Sequence, residues 1–477
     1  MTALKLFGVE GKEISIKASE IETLRQNLRG SLITPGTETF DVSRKIWNAM
    51  IDRSPGCIVR CEGTSDVIHA VQFAQKHGLL TSIRGAGHNI AGKSLNEGGM
   101  LIDLSEMRFV HVNPSHRQVT AAPGATLGDL DAETQLHGLA VPVGINSTTG
   151  VAGLTLGGGF GWISRKYGLT IDNLAEVEVV TADGRCLQCD SHRHPELFWA
   201  VKGGGGNFGV VTLFKFHAHP VGPKVMSGPI VFPFDEAKRV LQNYREFCRT
   251  SSDELTVWAL LRKAPPLPFL PEAFHGKLVL ILVAMHCGAL DRGESALEEL
   301  KTLGIPVADG VAPHSYADFQ RAFDPLLTPG ARNYWKSQNF TELSDALIEG
   351  LVARAAELPS DESEIFIAQL GGKINRIAAD ATAYPHRDVE FVMNVHTRWR
   401  EPKDDERCMR WARQLSSETE PFSTGGVYVN FISEGEERVK GAYGENYNRL
   451  LEIKRRYDPQ NFWRINQNIV PSNDSTR

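Results

Sequence analysis

Arg84-Gly85-Ala86-Gly87-His88-Asn89 follows directly on a strand-like run, Leu79-Leu80-Thr81-Ser82-Ile83. Gly85 and Gly87 carry no Cβ, so backbone N–H groups around them can approach a phosphate closely. His88 then offers a nucleophilic ring nitrogen beside whatever ring system the phosphate belongs to. Upstream, residues 57–61 read as a strand and 65–76 as a helix, because Val67, Ile68, Val71 and Ala74 recur at helical spacing. Strand, helix and strand in that order predict a small α/β subdomain.

Downstream, residues 118–122 read as a strand that stops at Pro123-Gly124, and 127–137 as a helix with Leu127, Leu130 and Thr134 on one side. Residues 175–181 alternate apolar and polar and turn at Asp183-Gly184, a hairpin signal, and 210–216 is another alternating strand. After residues 220–223 the pattern changes to amphipathic helices between hydrophobic strands, with a helix expected over 235–249 and a strand over 277–286. Four prolines between residues 264 and 271 exclude regular structure there. Near the end, Ser433 and Glu436 fit a capping box. Val439, Tyr443, Tyr447, Leu450, Leu451 and Tyr457 continue one helical stripe to Asp458-Pro459.

The 477 residues are too many for one ordinary core, so two domains are expected. A net charge of −6 argues against nucleic acid as a partner. No run approaches the roughly 20 apolar residues of a membrane span. The first 17 residues lack the pattern of a signal peptide, which predicts a cytoplasmic protein. Seven scattered cysteines read as reduced thiols. Cys186 and Cys189 form a lone CxxC, which reads as a turn between small buried residues rather than a zinc site.

Seven glycines fall within 18 residues from Gly144 to Gly161, running through Asn146, Thr148, Thr149, Gly150, Gly153, Gly157 and Gly158. Such a density predicts backbone pressed against a planar ligand and a pyrophosphate. The spacing is not that of a dinucleotide-binding G-x-G-x-x-G, and no Gly-Lys-Ser/Thr follows for a P-loop. A third block, Trp199-Ala200-Val201-Lys202-Gly203-Gly204-Gly205-Gly206-Asn207-Phe208-Gly209-Val210-Val211, repeats the theme.

In this order the three blocks resemble the FAD-linked oxidases of the vanillyl-alcohol oxidase and p-cresol methylhydroxylase superfamily, in its berberine bridge enzyme-like branch. Tyr384-Pro385-His386-Arg387, Tyr428-Val429-Asn430, residues 457–462 and Asn466-Gln467-Asn468-Ile469 are similar to that family's signatures as well. The resemblance covers nearly the whole chain. It implies an α+β fold: a two-subdomain FAD-binding domain over residues 1–220 (core about 52–220), a substrate domain over 221–422 with an antiparallel sheet, and a segment 423–477 that returns to the first domain.

The resemblance further implies FAD held by a bond from His88 to its 8α carbon, with Gly85, Ala86, Gly87 and Asn89 at the pyrophosphate. Gly150, Gly153 and Gly158 would line the flavin, Val210 would lie near the adenine, and Asn466 and Asn468 would close over the cofactor. Arg84, Ser94, Pro123, Gly144, Thr148, Thr149, Gly157 and Gly161 complete the expected cofactor set. Bicovalent relatives carry a second attachment cysteine where this chain has Asn146. An amide is no nucleophile, so a single bond is expected, as in the 6-hydroxy-D-nicotine oxidase type.

For catalysis Tyr428 matches a family active-site tyrosine, and Tyr167 is a second candidate. Plant relatives carry a lysine and a glutamine where this chain has Val392 and Asn394; His396, on the same strand face, is a candidate replacement base. Thr149 is small and β-branched where some relatives control oxygen access. Trp258, Phe269, Trp335 and Phe422 could line an aromatic pocket or belong to the core.

The expected reaction is removal of a hydride from a C–H next to oxygen or nitrogen on a sugar, alcohol, alkaloid or polyketide, with O2 returning as H2O2. The expected assembly is a monomer or homodimer. A dehydrogenase with another electron acceptor, a reductase run by NADPH and a non-catalytic flavin-binding protein are the alternatives.

Overall fold

The computed structural model describes residues 3–433 and 438–471. Two sheets organise the first half. The smaller has four strands in the order Ser31–Ile33, Cys57–Arg60, Met100–Asp103 and Thr81–Arg84. The last three run parallel. The helix Thr64–His77 connects Cys57–Arg60 to Thr81–Arg84 and buries Val67, Ala70, Val71 and Ala74. It ends at Gly78, whose φ of +59° is left-handed and favours glycine. The expected strand–helix–strand unit is present, with Met100–Asp103 inserted between its two strands.

The second sheet is antiparallel, in the order Cys186–Cys189, Leu174–Val180, Val210–His217, Gln118–Ala121 and Val110–Asn113. The Asp183-Gly184 hairpin lies between its first two strands as expected, and Cys186 and Cys189 sit on the outer one as free thiols. No group of residues able to hold a metal occurs among the described residues.

Residues 224–399 build one eight-stranded antiparallel sheet around Leu278–His286, Leu255–Lys263, Glu364–Gln369, Phe391–Trp399 and Arg332–Phe340. Alternate residues of a strand face opposite ways. Val257, Ala259, Leu261, Ile365, Ile367, Met393 and Val395 point to one side, where the helices Ala237–Thr250, Asp345–Ala355 and Asp405–Thr419 cover them. Trp258, Leu260, Phe366, Ala368 and Val392 point to the other, toward the glycine-rich half. With both faces covered, Leu278–His286 is buried along nearly its whole length, and it reads in sequence as an unbroken apolar run. The result is an α+β architecture. Among the described residues no helix is long and apolar enough to cross a membrane.

The C-terminal stripe does not form one helix. Val439–Tyr443 and Tyr447–Tyr457 are separate, because Gly444 between them takes φ +45°, outside the right-handed helical region. Glu436 of the expected capping box lies outside the described residues. Ser433 instead uses its hydroxyl to accept the Trp335 N–H at 2.8 Å.

The second of these helices ends where expected, and Asp458 explains why. Fully buried Lys454 donates to Asp458 at 2.7 Å, to Asn207 O and to Trp463 O, both at 2.8 Å. Asp458 also accepts the N–H groups of Phe462 and Trp463. This network ties the chain end to the glycine turn at residues 205–207, so the terminal segment is held against that turn.

Candidate functional site

Strand Thr81–Arg84 delivers the His88 loop. Arg84 does not point into the main cavity. It makes a two-pronged ion pair with Asp103 on the neighbouring parallel strand, at 3.1 and 2.6 Å, and borders a separate shallow recess with Lys45 and Arg60. Its role is to fix the strand end. Behind the loop, a Cβ on Gly85 would come within 2.9 Å of Pro123 O, so Pro123 backs the loop and only glycine fits. Gly87 takes φ +76°, which turns the chain toward His88.

His88 stands on the cavity wall. Trp47 stacks on it, with ring centroids 5.2 Å apart and planes at 23°. Thr148 Oγ1 lies 2.9 Å from its Nε2, and Thr149 Oγ1 3.5 Å from its Nδ1. The Thr148 hydroxyl gives its own proton to Asn146 Oδ1 at 2.7 Å. Its oxygen is therefore an acceptor for Nε2–H, which leaves the lone pair on Nδ1. Burial pushes the ring's pKa down to about 4, so the imidazole is neutral at neutral pH.

The cavity of about 350 Å³ runs between the three glycine blocks and the inner face of the large sheet. Gly150 packs so closely on the His88 loop that a Cβ would lie 2.9 Å from Ala86 Cβ. Gly153 and Gly206, also on the wall, would have nothing within 4 Å of an added Cβ. Around the same space, Ser94 Oγ, Asn394 Oδ1, Trp335 Nε1, Asn466 Oδ1 and Gln467 Nε2 are buried without a hydrogen-bond partner among the described residues. Each such atom costs about 1–3 kcal/mol if left unpaired. All five belong to residues on the wall of one cavity, which fits a polar ligand there. Lys93, next to Ser94, brings an ammonium to this end.

The sheet face opposite holds side chains in rows set by register. Arg262, Glu364, His396 and Trp335 stand side by side on four adjacent strands. Arg262 Nη1 donates to Glu364 Oε2 at 2.6 Å, and His396 Nδ1 lies 3.1 Å from Glu364 Oε1. His396 Nε2 faces Asn333 Oδ1 at 3.4 Å. Burial works against ionisation of Glu364, but the Arg262 charge and the His396 hydrogen bond outweigh it and hold the carboxyl below its usual range. The next row brings Phe366 beside Asn394, both on the cavity wall.

Tyr428 enters from the chain's last quarter. Its hydroxyl oxygen accepts the Gly159 N–H at 2.9 Å and Asn430 Nδ2 at 3.1 Å. Burial pushes its pKa up to about 12, with both donors pulling the other way, so the phenol keeps its proton at neutral pH.

Of the expected cofactor residues, Gly85, Ala86, Gly87, His88, Asn89, Ser94, Gly144, Thr149, Gly150, Gly153, Gly157, Val210 and Asn466 lie on the cavity wall. Thr148 reaches the site through His88. Gly158 sits behind the wall, with Tyr384 and Tyr428 at its back, and a Cβ on Gly161 would overlap Val143 O. Asn468 lies off the wall, and its Oδ1 is buried without a hydrogen-bond partner among the described residues.

Of the expected catalytic residues, Tyr428, His396 and Asn394 are on the wall, whereas Tyr167 stacks flat on His219 at 4.0 Å elsewhere. Trp258 and Trp335 join the cavity; Phe269 and Phe422 are surface residues. Sequence reasoning missed Trp47, Lys93, Phe160, Glu364, Phe366 and Phe431. The one available signal was Glu364, a charged residue opening an otherwise apolar strand.

Comparison with known proteins accords with this geometry. The family described as "FAD binding domain" matches residues 55–190, and that described as "Berberine and berberine like" matches residues 427–470. The uncharacterized FAD-linked oxidoreductase YgaK of Bacillus subtilis is 30% identical over 458 residues, covering 94% of this chain and 98% of the relative. The (R)-6-hydroxynicotine oxidase of Paenarthrobacter nicotinovorans is 30% identical over 461 residues, covering 93% and 97%. The crystal structure of 6-hydroxy-D-nicotine oxidase from Arthrobacter nicotinovorans superposes with a TM-score of 0.82 at 29% identity, covering 93% of this chain and 98% of that one. Similarity at that identity over that length leads to one conclusion: the chain belongs to the berberine bridge enzyme-like family of FAD-linked oxidoreductases.

Proposed function

We propose that this oxidoreductase is an oxidase acting on a C–H bond next to oxygen or nitrogen of a small molecule, and that it holds FAD through one covalent bond from His88. The observation that carries the reading is the state of His88. A neutral imidazole, clamped by Trp47 and Thr148 with its Nδ1 lone pair opposed only by the long 3.5 Å contact to Thr149 Oγ1, stands on the wall of a glycine-lined cavity. That is the form a nitrogen nucleophile needs. The relationship to 6-hydroxynicotine oxidase supports the same assignment.

FAD, when bound, supplies the two-electron acceptor for a hydride and passes the electrons to O2 as H2O2. The chain's part is to bind and orient. Asn89, Lys93 and Ser94 suit the pyrophosphate, and Gly206, Val210 and Asn466 suit the adenine end. Gly150, Gly153 and Gly157 suit the flavin ring. Asn146 offers no nucleophile for a second bond. On the substrate side His396 is our candidate base: it lies on the cavity wall, and Glu364 Oε1 and Asn333 Oδ1 at 3.1 and 3.4 Å fix the orientation of its ring. Tyr428 and Asn394 would orient the substrate, and Thr149 leaves room for oxygen.

Anaerobic mixing with a donor panel tests the reaction. Loss of the oxidised-flavin absorbance, restored on admitting air with one H2O2 per donor, is expected. A flavin that bleaches but is not restored by air marks a dehydrogenase and contradicts the oxidase reading. A His396→Ala variant that reduces its flavin at the wild-type rate removes His396 as the base.

A further inference from the structure

We propose that the substrate is an uncharged aromatic molecule, and that the Arg262–Glu364 pair is the element that keeps charged relatives of it out. The inference rests on the oxidoreductase reading only for the chemistry after binding; the choice of ligand comes from the cavity's own walls.

Glu364 is the carboxylate on the wall at the sheet end of the cavity. Both its oxygens are spent, one on Arg262 at 2.6 Å and one on His396 at 3.1 Å. Arg262 lies behind it, in the same cross-strand row, and is itself buried. The Arg262 and Glu364 charges cancel within the row. A carboxylate or ammonium entering here would shed its hydration and find no free opposite charge, at a cost of several kcal/mol.

The remaining wall is aromatic. Trp258 meets Phe366 edge-on at 5.1 Å, and Phe366 lies beside Asn394. Trp335 meets Phe431 edge-on at 5.5 Å. Two such aromatic corners, with Asn394 between them, suit a flat ring that adds further edge and face contacts.

Three polar atoms on this wall are buried without a hydrogen-bond partner among the described residues: the donors Trp335 Nε1 and Trp258 Nε1, and the acceptor Asn394 Oδ1. Tyr428 and Asn430 already bond to each other and to backbone groups. Two donors and one acceptor match a ring carbonyl or hydroxyl together with one N–H or O–H.

The test is binding, read by quenching of intrinsic tryptophan fluorescence, with benzyl alcohol, para-carboxybenzyl alcohol, para-aminomethylbenzyl alcohol and glucose as probes. Wild-type protein is expected to bind the neutral aromatic probe about tenfold or more tighter than either charged one or glucose. Glu364→Gln frees Arg262 and is expected to improve binding of the carboxylate probe selectively. Arg262→Gln frees the carboxylate and is expected to improve binding of the ammonium probe.

Equal or tighter binding of a charged probe or glucose to wild type overturns the proposal, as does failure to bind any aromatic probe. If the variants do not fold, the wild-type panel alone decides. Protein that carries no flavin refutes the oxidoreductase reading, while the fluorescence panel still judges the pocket.

Discussion

The two walls of the cavity are built on opposite principles. The wall from residues 85–89, 144–157 and 205–209 is rich in glycine: Gly85, Gly150 and Gly157 let its backbone segments pack closely on their neighbours, while Gly153 and Gly206 leave open space. The sheet wall is mostly side chain, and its members hold one another: Arg262 to Glu364, Glu364 to His396, Trp335 against His396 and Phe431. A close-packed backbone wall with two open positions suits a flat cofactor laid against it. A wall of interlocked side chains is sensitive to substitution, since a single replacement alters both charge and shape.

The contrast predicts very different responses to mutation. Removing Glu364 as Glu364→Ala leaves Arg262 buried without its partner and should cost about 3–5 kcal/mol, seen as a large fall in the midpoint of chemical denaturation. A loss under about 1 kcal/mol would mean the row is not a structural unit.

The joint between the walls is next. Asp131, on helix Leu127–Gln135, accepts from Gln320 Nε2 at 3.1 Å, and the same amide nitrogen donates to Gly144 O at 3.1 Å. Burial pushes Asp131 up to about 7, the Gln320 hydrogen bond and Arg321 opposing only in part. Its folded pKa lies above its unfolded one, so the folded state holds a proton that the unfolded state has lost. Stability from this group therefore falls as pH rises from about 4 to 7 and stays low above that. Asp131→Asn should leave stability nearly unchanged near pH 4 and raise it by about 2–4 kcal/mol near pH 8. Equal effects at both ends of that range would contradict the assignment.

The smallest effect belongs to the glycine wall. Gly153→Ala adds a methyl that meets no protein atom and improves a helical position, so the flavin-free protein should gain about 0.5–1 kcal/mol. Its flavin content, read as the ratio of flavin to protein absorbance, should fall. A normal content would show that Gly153 does not face the ligand.

Legibility in the sequence divided along the same line. The backbone wall announced itself, because glycine density and a lone histidine are local signals. Short strands and the Thr64–His77 helix were equally local. The sheet wall was not legible, because Arg262, Glu364, His396 and Trp335 meet only through the register of four strands drawn from residues 255–399. Tyr167 was misread for a related reason. It follows a glycine block in sequence, but Gly168 after it takes φ +87° and the side chain turns to His219. Gly444 shows the limit of periodicity, since the stripe from Val439 to Tyr457 survives a break in the helix that carries it.

The central claim is that His88 is the single covalent anchor of FAD. Intact-mass measurement of denatured protein, for wild type and His88→Ala, tests it most directly. The account predicts wild type heavier than its sequence by one FAD and His88→Ala at the bare sequence mass. Yellow wild-type protein that falls to the bare mass on denaturation, or a His88→Ala variant that keeps the added mass, would contradict it.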